Sequence, residues 1–174
     1  MENSSDHKSI LNVKNSVISE VEARFPNWGP DLKKAYVSQH TLERIGADQI
    51  TIDLVIQTLE YQVRGWYELA CKNTDLQKEY VDNMKLYQTV LDSARGFDPK
   101  DNVDVVNFYK QAASYHNDRA KKGEAYPAKT IKSLNIFQDV LLSSPEEHIH
   151  CAENYTSIVR LFENRMTFSL APKE

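Results

Sequence analysis

The densest group of ligating side chains in this chain is Glu146-Glu147-His148-Ile149-His150-Cys151-Ala152-Glu153. Imidazole, thiolate and carboxylate are the groups that hold transition metals, so the first question is whether their spacing suits one ion. On a helix, residues two apart are turned by about 200°, so His148 and His150 face opposite sides and do not grip an ion together. His148 with Cys151, and Glu147 with His150, are spaced i,i+3 and share a face. There is no C-x-x-C or H-E-x-x-H spacing, so a site here would need ligands from elsewhere, for which His116 and Cys71 are the candidates. The simpler reading is a helix N-terminus, where the dipole favours acids, with the His148 ring packed on an apolar seam.

Tyr115-His116-Asn117-Asp118-Arg119 sets His116 and Tyr115 within one helical turn of Arg119. A general base needs a positioned nucleophile or water and an orienting group, and the sequence identifies neither, so His116 reads as a surface histidine. The chain has no Gly-rich phosphate loop, no G-x-S-x-G and no Walker sequence, and His7 and His40 are solitary. The balance is against an enzyme, and no cofactor is expected.

Aromatic residues offer a different kind of chemistry. Nine tyrosines and two tryptophans occur in the chain, and tyrosine, apolar in body and wet at its tip, suits both core edges and protein interfaces. Tyr61, Trp66 and Tyr67 fall on one helix, where neighbours are 100° apart, so they do not all enter one core. Trp28 lies in the rigid turn Pro26-Asn27-Trp28-Gly29-Pro30, which either pins that loop to the core or displays the ring. Trp28, Trp66 and Tyr67 are therefore the expected partner-binding anchors.

These residues must be carried by helices. From Asp48 to Lys72, Ile52, Ile56, Leu59, Val63, Trp66 and Ala70 form an apolar stripe, while Asp53, Gln57, Glu60, Arg64, Glu68 and Lys72 form a polar one. Within the latter, Glu60 with Arg64 and Glu68 with Lys72 are i,i+4 pairs. This stretch is the expected central helix, and Gly65 within it implies close approach of a neighbour. A helix capped by Asp6 precedes the Pro-rich turn, and a shorter one runs from Asp31 to Gly46. Thr74-Asp75-Leu76-Gln77 resembles a capping box for a fourth helix ending at Gly96. Asp98-Pro99 and Tyr126-Pro127 open a fifth and a sixth. Ser144-Pro145-Glu146-Glu147 opens the last, whose residues His148, Ala152, Tyr155, Val159, Phe162 and Met166 repeat nearly as a heptad seam that also suits a homodimer. The expectation is an all-α domain of about seven amphipathic helices packed as antiparallel hairpins.

Tyr87-Gln88-Thr89-Val90-Leu91-Asp92-Ser93 and Phe137-Gln138-Asp139-Val140-Leu141-Leu142-Ser143 share four identities. Each segment resembles the end of a tetratricopeptide-type repeat, but that family's Trp, Leu-Gly and Ala-x-x-x-Phe positions are out of register. Only a weaker expectation carries over, that the hairpins stack like a short solenoid around a concave face.

Length and composition fit a single domain over residues 1–174, with 1–5 and 167–174 as flexible tails. A net charge of -4 argues against nucleic acid, although Lys110 to Lys132 is locally basic. The two cysteines, Cys71 and Cys151, read as buried thiols of a reducing compartment. With no signal peptide and no membrane span in the sequence, a cytoplasmic protein is expected; a specialised export signal would be sought in the tail from Thr167. The functional expectation is a non-enzymatic protein–protein interaction module, as an adaptor, regulator or secreted effector. The alternative is a metal- or small-ligand-binding helical bundle with enzymatic activity.

Overall fold

The computed structural model describes residues 9–72, 74–96, 102–122 and 145–170. Among these residues the chain forms six α-helices and no strand: α1 (Ile10–Arg24), α2 (Pro30–Arg44), α3 (Ile52–Lys72), α4 (Gln77–Arg95), α5 (Asn102–Lys122) and α6 (Pro145–Leu170), with a 3-10 turn at Ala47–Gln49. The expected sixth helix, over Tyr126–Leu142, falls outside the described residues.

Local chemistry sets most of the helix ends. Ser9, rather than Asp6, caps α1 by accepting the Asn12 N–H at 3.2 Å. Pro30 opens α2 at its first turn, where the missing N–H is not needed. The central helix is shorter than expected because residues 47–49 turn on their own and Thr51 then caps the helix, its hydroxyl accepting the Leu54 N–H at 3.1 Å. The expected capping box at Thr74 does not form. Gln77 instead reaches back to the Ala70 carbonyl at 3.0 Å, satisfying the C-terminal end of α3. At the other end of the chain the α6 backbone stays helical to Leu170, into the stretch expected to be a tail.

The short link between α3 and α4 turns those two helices antiparallel. Trp66 of α3 meets Tyr80 and Tyr87 of α4, and the two ends of α5 meet opposite ends of α6, Asn102 with Phe162 and His116 with His148. Among the described residues the helices close on one another rather than forming an open stacked array. α6 packs back on α2, where Asn154 donates to the carbonyls of Leu42, Glu43 and Ile45 at 2.9–3.1 Å. Of the expected seam, His148, Ala152, Tyr155, Val159 and Phe162 are buried within the chain as their spacing predicts, and Met166 lies outside the residues whose side chains are described.

The buried face of α3 holds Val55, Thr58, Leu59, Gln62, Gly65, Trp66 and Ala70, rotated from the expected stripe because α2 and α4 flank the helix on both sides. Gly65 marks a close approach of α2 and α3: a Cβ there would stand 2.9 Å from the Ala35 Cβ on α2. In the polar stripe Glu68 bonds Lys72 at 2.9 Å as expected, whereas Glu60 reaches across to Arg95 of α4 instead of Arg64.

Candidate functional site

Two places in the bundle could do more than hold it together. The first is a polar cluster within the core. α2 contributes Gln39, His40 and Glu43, α3 Gln62, α5 His116, and α6 His148, Cys151 and Tyr155, all of them buried. The register of each helix puts them there: Leu32, Tyr36, Gln39 and Glu43 step by four, three and four residues, so Glu43 continues the apolar stripe of α2. Tyr109, Ala112 and His116 do the same on α5.

Glu43 is the hub. Its carboxylate accepts from Gln39 Nε2 at 2.8 Å and from the Tyr155 hydroxyl, and lies 2.9 Å from His40 Nδ1 and 3.8 Å from His116 Nε2. Gln62 donates to Gln39 behind it. Burial pushes the Glu43 carboxyl up, but the charge and hydrogen bond of His40, with His116 and the Tyr155 hydroxyl, outweigh this and hold it down at about 2. Burial pushes His116 down to about 4 against the pull of Glu43, so its ring is neutral at pH 7 and keeps a lone pair. His116 Nδ1 meets His148 Nδ1 at 2.8 Å, one ring donating and the other accepting. Cys151 Sγ, a Glu43 oxygen and a His116 ring nitrogen lie within 4.8 Å of one another.

The second place is on the surface. A cleft of about 510 Å³ lies where α1, α2 and α3 meet, with Ile18, Val21, Trp28, Val37 and Tyr61 in its walls and Lys14, Lys33 and Lys34 around them. Trp28 stacks on Phe25 at 4.2 Å and meets the edge of Tyr36 at 5.5 Å, so the Pro-rich turn is pinned to the core while the half-buried ring still borders the cleft. Lys33 is taken up by Glu22 at 2.9 Å and by the Pro26 carbonyl. Lys14 and Lys34 are exposed and make no ion pair among the described residues.

Comparison of the chain with protein-family models, with curated proteins and with solved structures finds no match in any of the three. The geometry alone therefore carries the functional argument.

The anchors expected from the sequence separate. Trp66 is 1% exposed, packed between α3 and α4, and a ring so enclosed offers nothing to a partner. Tyr67, one position on, is 59% exposed but does not border the cleft. Trp28 lines the cleft. Of the expected metal ligands, the fold brings His116, His148 and Cys151 together and leaves out Cys71, which is exposed on α3. His116 is fully buried rather than on the surface, as is Arg119, whose guanidinium sits over the Tyr115 ring at 5.1 Å. Glu43 was missed. A carboxylate in apolar register was its only signal in the sequence.

Proposed function

We propose that this chain is a non-enzymatic helical interaction module, of adaptor, regulator or secreted-effector type, that binds an acidic partner segment through the cleft around Trp28. The observation that supports this reading is a tryptophan fixed at the edge of an apolar cleft by its own core contacts. Such a ring loses little freedom on binding, which is why tryptophan dominates the energetics of many interfaces. Lys14 and Lys34 give the cleft a positive border on a chain whose net charge is -4, which favours an acidic segment carrying an apolar anchor. The buried cluster is a poor place for turnover, because Glu43 and His116 are fully buried and Cys151 is 1% exposed, leaving a substrate no contact with them.

The test is selection of random peptides on the purified chain, followed by titration of the winners. The expected winners combine Asp or Glu with an aromatic or leucine, bind more weakly as salt rises, and lose about 30-fold in affinity with Trp28→Ala. Lys34→Glu, on an exposed position that leaves the core alone, weakens the same peptides. Peptides that bind the wild type, Trp28→Ala and Lys34→Glu proteins alike would place the binding face elsewhere.

A further inference from the structure

Glu43, His116 and Cys151 come from three different helices, yet one potential ligand atom of each lies within 4.8 Å of the other two. We propose that these side chains hold one Zn²⁺ ion inside the bundle, tying α2, α5 and α6 together. This reading is independent of the surface cleft.

The donor set and its geometry support it. Around tetrahedral zinc, with bonds of 2.0–2.3 Å, the ligand atoms stand roughly 3.3–3.6 Å apart. His116 Nε2 and Glu43 Oε2 are already 3.8 Å apart, and His116 Nε2, wholly buried, makes no hydrogen bond. The 2.8 Å contact from His116 Nδ1 to His148 Nδ1 orients the ring with Nε2 toward Glu43, the outer-shell support that metal-bound histidines commonly have. Gln39 and Tyr155 both donate to Glu43 Oε2, the oxygen that faces His116, and so fix its position.

Charge and softness then select the ion. A carboxylate and a thiolate together balance a divalent cation, so the wholly desolvated centre is neutral. A set of one oxygen, one nitrogen and one sulfur suits zinc and disfavours magnesium and calcium, which take oxygen. Three protein ligands leave a fourth position to water or to the second Glu43 oxygen. On binding, Cys151 Sγ forms the bond to zinc and releases its proton to solvent.

The experiment uses the full chain, stripped with a chelator and offered Co²⁺ alone as a spectroscopic stand-in, then Zn²⁺. Because the cluster is enclosed, metal is added both to the folded protein and during refolding. The expected result is a single equivalent of Co²⁺ giving tetrahedral visible bands and a thiolate-to-cobalt charge-transfer band, both removed by Zn²⁺. Cys151→Ser loses the charge-transfer band, His148→Gln weakens Zn²⁺ binding by about 10- to 100-fold, and Cys71→Ser changes neither. A wild-type protein that shows no thiolate band under either loading overturns the proposal. That spectrum decides the matter even where a core variant fails to fold. Zn²⁺ affinity unchanged in a folded Cys151→Ser protein overturns it as well.

Discussion

His116 of α5 and His148 of α6 face each other in the core, Nδ1 to Nδ1 at 2.8 Å. The contact requires one nitrogen to donate and the other to accept, so the two rings cannot both be charged. Burial adds to this, pushing His116 down to about 4.

Acid should therefore unfold the metal-free protein from a higher pH than carboxylates alone would set. In the unfolded chain His116 takes up a proton near its ordinary value of about 6.5, whereas in the folded chain it does so only near 4. Its contribution is complete above the unfolded value and is lost as pH falls through that window, at about 1.4 kcal/mol per pH unit and about 3 kcal/mol in all. Glu43, also held low, extends the same sign to more acidic conditions. Urea midpoints measured with a chelator present should fall between neutral pH and the folded His116 value. A flat profile over that range would mean that His116 charges in the folded state.

Glu68 links two helices. One carboxylate oxygen accepts the Leu32 N–H at 2.8 Å, at the N-terminus of α2, and the other bonds Lys72. Gly29 leaves room for this: a Cβ there would fall 1.2 Å from Glu68 Oε2. Gly29→Ala should displace the carboxylate and cost about 1 kcal/mol, the worth of a helix cap. Glu68→Gln should cost a similar amount. Because both remove one interaction, thermal melts of the double variant should fall short of the sum; full additivity would show that Gly29 serves some other purpose.

Gly65 and Ala35 fix the spacing of α3 and α2. Adding a Cβ at Gly65 meets the side chain of a residue on a rigid helix, 2.9 Å away, which has no rotamer to give. Gly65→Val should lower stability by about 2 kcal/mol by overpacking, while Gln57→Ala on the exposed face of the same helix should stay within about 0.5 kcal/mol. Chemical denaturation separates the two. A Gly65→Val protein as stable as the wild type would mean that the helices part without cost.

The sequence by itself determined the all-α class, the break at Pro26–Pro30, the end of α4 at Gly96, the Pro145 start of α6 and the buried seam of α6. Those features depend on local signals: Pro at first turns, Gly after a last one, and apolar spacing near 3.6 residues. It also singled out His116, His148 and Cys151 as chemically interesting residues. What only the tertiary structure decided is which of them meet. The return of α6 onto α2 sets Glu43 beside His116 and Cys151 and turns His150 to the Ile45 carbonyl, and no pattern within one helix encodes that crossing. Trp66 and Tyr67 show the same limit. They are adjacent, aromatic and equally plausible as anchors in the sequence, and the packing of α4 against α3 alone buries the first and leaves the second exposed.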